Sequence, residues 1–534
     1  MNKSLIAIFA TTGIAIALLV SCGPSSANTF NNKLAPAARS FSVLAGSELK
    51  DMEGNLADDI RASTGLSLKF NYSGTLDAVD RVATGEQFDA LWVSHGTYIA
   101  MNDALKGRII AQEKTMLSPV LLGLKASKAR AMGWDRGEPS WKEIADAAKA
   151  GKFTFGMTNP ASSNTGLTAT IGLAAALARN PDNLTQADLK NPRLIEFFKG
   201  QSLTSDSSGW LAEAYESDPS KVDGIINYES VLLSLNAGGK LAEPLTLVYP
   251  KEGIITADYP LMLLNTSRRP DYDRLVAYLR TPAFQTRMSA QTLRRPINSD
   301  TLADAAIPKR TLIELPFPGQ ASLISALLDG FTSGFRVPGS SRFVLDLSGS
   351  MRGDRLAALK DSMLLLASDS TQPSDRSARF RNREEVGIIT FSTEPEPTRV
   401  FSMGSTLAEN AKTRAEITDF VEPLEAKGST AIYSSIQRAL TELNQERSGA
   451  KAKRYYTVVL MTDGENNRGL TRSEFEHWYH VNQRTIQGIP VFTILYGDGN
   501  ETDLRALADL TGGRMFDARS NTLTTVFKEI RGYQ

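Results

Sequence analysis

Residues 343–353 read Phe-Val-Leu-Asp-Leu-Ser-Gly-Ser-Met-Arg-Gly, and this stretch decides the fold of the C-terminal part of the chain. The apolar run at its start predicts a buried β-strand. Asp346, Ser348 and Ser350 then alternate along one turn at the end of that strand. One carboxylate and two hydroxyls in this spacing offer hard oxygen ligands to a small divalent cation. The stretch therefore indicates a metal site at the end of a strand.

Two later segments have the form needed to complete such a site. Gly428-Ser429-Thr430 opens a predicted helix, and residues 458–464 read as a second buried strand that leads into Asp463. Continuously apolar strands alternate here with helices, which is typical of a doubly wound α/β sheet. The predicted strands cover 343–345, 386–391, 399–402, 457–462 and 491–496. The predicted helices carry their apolar faces at 356–366, 407–420 and 431–443, and at Leu523, Val526, Phe527 and Ile530.

Residues 338–534 resemble the von Willebrand factor type A domain. The resemblance is carried by the Asp-x-Ser-x-Ser motif and by residues 386–391 and 460–464. It implies a metal ion-dependent adhesion site that holds Mg²⁺ or Mn²⁺ on Asp346, Ser348, Ser350, Thr430 and Asp463. It also implies a protein partner that donates an Asp or Glu to the metal. The alternative is that Asp346 and Ser350 only cap the following helix.

The first globular region, residues 38–312, also alternates strands with helices, which predicts an α/β parallel sheet. A strand at 41–45 is followed by one predicted helix with apolar positions Leu49, Met52, Leu56 and Ile60. Serines follow three predicted strands, and ligands of such sheets bind beyond the carboxyl ends of the strands. The hydroxyl- and amide-rich run 158–166 precedes an Ala-rich helix, where a polar ligand can be held.

This region resembles the two-lobed periplasmic solute-binding proteins, near the molybdate- and sulfate-like group. The resemblance rests on the order of residues 46–51, 72–74, 89–94, 159–166 and 228–229. It implies a cleft for a small solute of unknown class, lined by Ser47, Ser73, Ser94, Ser162, Ser163 and Tyr228. Glu48 and Glu229 near that cleft count against a highly charged anion. The alternatives are that the serines are ordinary caps and turns, or that the cleft has lost its ligand.

The N-terminus predicts the compartment. Lys3 and an apolar run from Leu5 to Val20 have the form of a secretory signal, and the sequence Leu19-Val20-Ser21-Cys22 resembles a bacterial lipobox. We therefore expect lipid on Cys22, the single cysteine of the chain, and an extracytoplasmic location anchored to the bacterial cell envelope. The predicted division is signal 1–21, tether 22–37, solute-binding region 38–312, connector 313–337 and type A domain 338–534.

Composition narrows the function class. The 534 residues contain 59 Lys and Arg against 59 Asp and Glu, which argues against a nucleic-acid partner. His477 and His480 could share a helix face, but no third zinc ligand or base accompanies them. The sequence has no Gly-x-Ser-x-Gly elbow and no phosphate-binding loop. We therefore expect a binding protein rather than an enzyme.

The leading interpretation is a lipoprotein with two binding modules, in which solute capture changes how the metal site is presented. One alternative is an adhesion or assembly protein whose solute lobes are a vestigial scaffold. Another is a receptor that serves a transporter. The solute, the protein partner and the oligomeric state are not defined by the sequence.

Overall fold

A computed structural model describes residues 38–205, 207–368, 379–450, 453–497, 499–519, 526–527 and 530–531. The predicted signal peptide 1–21, the tether 22–37 and Cys22 lie outside these residues, as does Leu523 of the predicted C-terminal helix. Within the described residues, no helix is long and apolar enough to cross a membrane.

The first region is built from short strands and helices in alternation. Its strands are β1 Arg39–Gly46, β2 Leu66–Ser73, β3 Ala90–Trp92, β4 Ala111–Lys114, β5 Ser118–Lys125, β6 Phe155–Thr158, β7 Gln201–Ser205, β8 Gly224–Tyr228, β9 Leu245–Val248, β10 Thr256–Ala257 and β11 Pro260–Leu263. Its helices are α1 Asn55–Thr64, α2 Thr75–Ala83, α3 Thr97–Met101, α4 Ala126–Ala131, α5 Trp141–Lys149, α6 Asn164–Leu177, α7 Pro192–Phe198, α8 Ser208–Ser217, α9 Glu229–Ala237, α10 Arg269–Leu279 and α11 Pro282–Thr292.

These strands form two sheets, one in each lobe. The first lobe has the order β2-β1-β3-β11-β4, and the second has β10-β5-β8-β6-β7 with β9 beside β5. The sheet of the first lobe is mixed, because β11 runs antiparallel to β3 and β4. The prediction of a parallel sheet holds for β1, β2 and β3 and for β6, β7 and β8. It is wrong for β5, which runs antiparallel to β8, β9 and β10, and for β11. That strand enters the first lobe only after the chain has passed through the second.

The chain crosses between the lobes at residues 115–117 and 258–259, and one tryptophan ties the two crossings together. Trp92 Nε1 donates to Thr115 Oγ1 at 3.0 Å and to the Tyr259 carbonyl at 3.2 Å. Thr115 Oγ1 also donates to the Tyr259 carbonyl, at 2.6 Å. All three residues are buried, so these polar groups are satisfied by one another where the lobes meet.

The helix predicted to follow β1 is two segments. Ser47–Met52 is a 3-10 turn, and α1 begins at Asn55. Gly54 separates them with φ +68°, a left-handed conformation that other residues adopt at a cost. The four apolar positions used for the prediction are nevertheless all buried: Leu49, Met52, Leu56 and Ile60.

The connector contains α12, Ala321–Gly330, followed by one π-helical turn, Phe331–Phe335. Leu323, Ile324 and Leu327 of α12 are buried in the same apolar cluster as α6 of the second lobe. The helix therefore packs on the second lobe through one apolar face. The domain boundaries of the sequence analysis stay predictions.

The C-terminal region forms a six-stranded sheet of order β14-β13-β12-β15-β16-β17. Its strands are β12 Gly339–Asp346, β13 Glu385–Phe391, β14 Arg399–Ser402, β15 Tyr455–Thr462, β16 Val491–Leu495 and β17 Met515–Asp517. Its helices are α13 Asp354–Ala367, α14 Leu407–Val421, α15 Ile432–Gly449, α16 Arg472–Ile486 and α17 Glu501–Thr511. Phe343 and Leu345 of β12 enter one apolar cluster, and Val344 enters the cluster on the opposite face. Helices cover both faces, which confirms the predicted doubly wound α/β fold.

The second lobe and the C-terminal region touch directly. Lys453 Nζ donates to the Gln201 carbonyl at 2.6 Å and to Ser202 Oγ at 2.8 Å. The Arg514 guanidinium lies 3.8 Å from the centre of the Trp210 ring, a cation–π contact. Trp210 belongs to α8, so this helix joins the second lobe to the C-terminal sheet.

A buried charge cluster fixes the connector to the C-terminal region. Glu384, just before β13, pairs with Arg336 from the connector and with Arg531 near the C-terminus, at 2.6 Å for the latter. All three side chains are at most 3% exposed. Burial alone would raise the pKa of Glu384, but Arg531, Arg336 and Arg381 outweigh it and lower this pKa to about 2. The carboxylate therefore stays ionised and holds three distant segments together.

We predict that Glu384→Gln lowers the free energy of unfolding by about 3–5 kcal/mol, because the buried arginines lose their counter-charge. Chemical denaturation at neutral pH measures this loss. The pKa of Glu384 is lower in the folded chain than in the unfolded one, so its contribution is lost as the pH falls from about 4.5 towards 2. The substitution removes that part of the acid sensitivity.

The matched control is Glu385→Gln, at the neighbouring carboxylate, which is 25% exposed and lies 3.7 Å from Arg454. We expect a loss below about 1 kcal/mol there. Equal losses for the two variants would contradict the role given to Glu384.

Candidate functional site

The five residues predicted for the metal site come from three separate segments. Asp346 ends β12, with Ser348 and Ser350 in the turn after it. Asp463 follows β15, which is parallel to β12 and adjacent to it. Thr430 precedes α15 by two residues. Because adjacent parallel strands end at the same edge of the sheet, the two carboxylates meet there.

Hydrogen bonds hold the loops around this edge. Leu347 N donates to the Phe391 carbonyl at 2.7 Å, which joins the turn after β12 to the end of β13. Gly349 N donates to the Gly428 carbonyl at 3.0 Å, which joins the same turn to the loop before α15. Asn467 Oδ1 accepts from Thr430 N at 2.8 Å. The loop that carries Thr430 is thereby fixed from two sides.

The structure brings all five predicted side chains together. Ser348 N donates to Asp346 Oδ1 at 2.8 Å, Ser348 Oγ and Ser350 Oγ lie 3.0 Å apart, and Ser350 Oγ donates to Asp463 Oδ1 at 2.9 Å. A carbon added to Gly464 would lie 3.8 Å from Thr430 Cγ2 and 4.0 Å from Asp346 Oδ2. Only Ser350 is exposed, so the cluster opens to solvent on one side.

This donor set fits Mg²⁺ or Mn²⁺. Two carboxylates and three hydroxyls are all-oxygen ligands, which hard divalent cations prefer. Burial raises the pKa of Asp346 to about 6, and the nearby Asp463 carboxylate adds to the rise, because the site gathers negative charge with little compensation. Among the described residues, no three His, Cys, Asp or Glu side chains group as a metal site, so a cation held here would need the hydroxyls as ligands.

Arg355 was not singled out in the sequence, yet it contacts the site. Its guanidinium donates to Asp463 Oδ2. It also packs against Gly497, because a Cβ built on that glycine would lie 2.9 Å from Arg355 Cζ. The side chain is 37% exposed. Arg355 lies on the first turn of α13 and covers one side of Asp463 with positive charge.

Most of the residues predicted for the solute cleft lie where the lobes meet, and one of them does not. Ser94 and Tyr228 come together from the two lobes: Ser94 Oγ lies beside the Tyr228 hydroxyl and the Glu48 carboxylate. Ser162 meets the turn after β2, since a carbon added to Gly74 would lie 2.2 Å from the Ser162 carbonyl. Ser73 precedes that glycine, and Ser47 begins the segment that carries Glu48. Ser163 Oγ instead pairs with Thr165 Oγ1 inside the second lobe, at 3.0 Å.

Several buried polar atoms at the meeting of the lobes have no hydrogen-bond partner among the described residues. They include Glu48 Oε1, Ser94 Oγ, Asn164 Oδ1, Tyr259 Oη and Arg294 Nε. Asn164 Nδ2 donates to the Tyr228 hydroxyl at 3.2 Å, and the Tyr228 and Tyr259 rings lie 5.9 Å apart, so these groups share one cluster. An unsatisfied buried polar group costs about 1–3 kcal/mol. Such a cluster is suited to a polar ligand.

Sequence reasoning missed Tyr259 and Arg294 and did not give Glu48 a binding role. Tyr259 lies in the second crossing between the lobes with φ +39°, and Arg294 follows α11. Their partners in the first lobe, Trp92 for Tyr259 and Asp51 for Arg294, are more than one hundred residues away along the chain. Neither residue stands in a motif, so only the fold brings them to the cleft.

Family models match both parts of the chain. The model described as bacterial extracellular solute-binding protein matches residues 41–291, and the model described as von Willebrand factor type A domain matches residues 342–529. These matches agree with the two resemblances in the sequence.

Curated relatives match within the C-terminal region. Inter-alpha-trypsin inhibitor heavy chain H3 of Homo sapiens is 29% identical over 140 residues, which is 26% of this chain and 14% of that protein. Calcium-activated chloride channel regulator 3A-1 of Mus musculus is 30% identical over 193 residues, 35% of this chain and 18% of that protein. The chain thus spans less than a fifth of the length of these relatives.

Solved structures of periplasmic binding proteins are similar to the first half. AfuA from Actinobacillus pleuropneumoniae, with fructose-6-phosphate bound, is 14% identical, with 55% of this chain and 98% of that chain covered and a TM-score of 0.43. The sulfate-binding protein SubI from Mycobacterium tuberculosis is 17% identical, with 53% and 93% covered and a TM-score of 0.40. With both family models matched, the chain joins a bacterial extracellular solute-binding domain to a von Willebrand factor type A domain.

Proposed function

We propose that this chain is an extracytoplasmic binding protein, not an enzyme, with two ligands. The cleft between the first two lobes captures a small solute. The type A domain binds a protein partner through Mg²⁺ held by Asp346, Ser348, Ser350, Thr430 and Asp463, and lipid on Cys22 anchors the chain to the cell envelope. The observation that carries the proposal is that each domain gathers buried polar groups at the carboxyl ends of its strands, Glu48 and Ser94 in the cleft and Asp346 and Asp463 in the type A domain.

The metal site supports docking because few anionic ligands surround it. With two carboxylates in the cluster, a bound divalent cation stays electrophilic and can accept a further carboxylate from a partner. Ser350 opens the cluster to solvent, where such a group can approach.

The first half supports capture because its lobes close on each other. Helix α8 of the second lobe contacts the Ser47–Met52 segment of the first, and Gly74 meets the Ser162 carbonyl. Between the lobes, Ser94 and Tyr228 bring polar groups beside the buried rings of Tyr228 and Tyr259. A few converging polar groups among aromatic side chains are the usual lining of a small-molecule site.

We predict that Asp346→Asn abolishes stabilisation by Mg²⁺, because the buried carboxylate is the central ligand of the proposed site. In EDTA the same variant unfolds with a free energy about 1–3 kcal/mol higher than wild type, since it no longer buries an uncompensated charge. Thermal and chemical unfolding with Mg²⁺ or EDTA measure both effects. The control is Asp361→Asn, at an exposed carboxylate on α13. An undiminished Mg²⁺ response in Asp346→Asn contradicts the metal assignment.

We predict that Arg355→Gln tightens Mg²⁺ binding roughly threefold to tenfold, because it removes a positive charge that pairs with Asp463. Calorimetric titration with Mg²⁺ measures the change. The matched control is Arg352→Gln, whose guanidinium donates to the Ala426 carbonyl at 3.2 Å and not to a proposed ligand. Weaker Mg²⁺ binding in Arg355→Gln would show instead that the guanidinium helps to organise the site.

We predict that Gly74→Ala opens the cleft. The Cβ of the new alanine would lie 2.2 Å from the Ser162 carbonyl oxygen, and this backbone atom cannot relieve the clash by a change of rotamer. Small-angle scattering should show a larger radius of gyration, and stabilisation by any captured solute should fall at least tenfold. Gly319→Ala is the control, since a carbon there meets nothing within 4 Å. An unchanged radius of gyration, with no loss of stabilisation by solute, would contradict the closed cleft and favour the vestigial-scaffold alternative.

A further inference from the structure

The unpartnered atoms of the cleft define what its ligand must supply. Glu48 Oε1 and Asn164 Oδ1 come from opposite lobes, and both can only accept hydrogen bonds when Glu48 is ionised. Asn164 is 4% exposed, and its Nδ2 is already used on Tyr228. A ligand that bridges the lobes must therefore donate hydrogen bonds to both.

The nearest cation of the protein is engaged elsewhere. Arg294 Nη1 donates to Asp51 Oδ2 at 2.6 Å, and Nη2 donates to the Glu48 backbone carbonyl at 2.9 Å. Its guanidinium also lies 5.0 Å from the centre of the Tyr259 ring. Arg294 thus holds the backbone of the segment through two of its nitrogens, while its Nε has no hydrogen-bond partner among the described residues and Glu48 Oε1 receives no hydrogen bond from it. Burial raises the pKa of Glu48, which agrees with a carboxylate that lacks sufficient counter-charge.

Two details show that Glu48 is held in the cleft. A carbon added to Gly46 would lie 2.4 Å from Glu48 Oε1, so the carboxylate folds back over a position that only glycine leaves open. The rings of Tyr228 and Tyr259, both at most 1% exposed, lie at 53° to each other beside it. Tyrosine faces attract organic cations, and the attraction is stronger away from water.

We propose that the cleft takes a small organic cation, whose ammonium or amidinium group donates to Glu48 Oε1 and, across the closed lobes, to Asn164 Oδ1. The inference rests on the proposed capture function of the cleft and names its ligand class. An anion would place its charge against the Glu48 carboxylate. A neutral polyol could donate hydrogen bonds there, but it would gain nothing from the charge.

The test is thermal unfolding of the full-length chain with matched four-carbon probes at high millimolar concentration and constant ionic strength. The cations are n-butylammonium, 1,4-diaminobutane and butylguanidinium. The neutral and anionic probes are n-butanol, erythritol, butyrate and inorganic phosphate. We expect only cations to raise the unfolding temperature. Glu48→Gln should increase the concentration needed for half of that rise at least tenfold.

Two further variants keep the result interpretable. Glu53→Gln is the matched control, because Glu53 pairs with Tyr72 at an exposed position of the same segment. It should respond to cations as wild type does. Gly46→Ala keeps the charge of Glu48 but displaces its carboxylate, so it should lose the cation response as Glu48→Gln does. A cooperative unfolding transition of Glu48→Gln without probe, at or above the wild-type temperature, shows that the variant is folded.

The possible results separate the class of ligand from the capture function. If a neutral or anionic probe stabilises the chain as well as the cations do, and Glu48→Gln does not weaken it, the class is wrong while capture stands. If no probe of any charge raises the unfolding temperature, both this inference and the capture function are overturned.

Discussion

Polar side chains buried where parallel strands end are the constraint on which both domains depend. Glu48 and Ser94 follow β1 and β3, and Asp346 and Asp463 end or follow β12 and β15. Adjacent parallel strands bring such groups to one edge of the sheet, where the backbone cannot satisfy all of them. In the cleft, where Glu48 Oε1 and Ser94 Oγ have no partner among the described residues, each unsatisfied buried group costs about 1–3 kcal/mol. At the edge of the C-terminal sheet, neighbouring side chains hydrogen-bond to Asp346 and Asp463, and the cost is the burial of the Asp346 charge.

Four of the five residues proposed for the metal site could be placed together from the sequence because they end or follow strands whose apolar runs are visible there, whereas Thr430 lies before α15. The cleft could be predicted only in outline. Ser94 and Tyr228 meet as expected, but Ser163 turns inward to Thr165. Tyr259 reaches the cleft because the chain crosses twice between lobes, and Arg355 reaches Asp463 because α13 begins beside it. These placements depend on tertiary geometry, which local periodicity does not encode.

The contacts between domains give the hypothesis of coupling a physical route. Helix α8 contacts the Ser47–Met52 segment that carries Glu48, and its Trp210 packs against Arg514 of the type A domain. A change in closure of the lobes would move α8 relative to the first lobe, and the type A domain, held to α8 through Trp210 and Arg514, would move with it. Lys453 holds β7 of the same lobe, so the type A domain follows the second lobe rather than the first.

The most direct test of the central claim is a crystal structure of the full-length chain grown with Mn²⁺, measured for anomalous scattering of manganese. We expect one anomalous peak within the cluster, and we expect the Arg355 guanidinium to have lost its contact with Asp463. The side chains around the peak should be Asp346, Ser348, Ser350, Thr430 and Asp463. No anomalous peak at that edge, with the Arg355–Asp463 pair intact, would contradict the claim that ligands complete these strand ends.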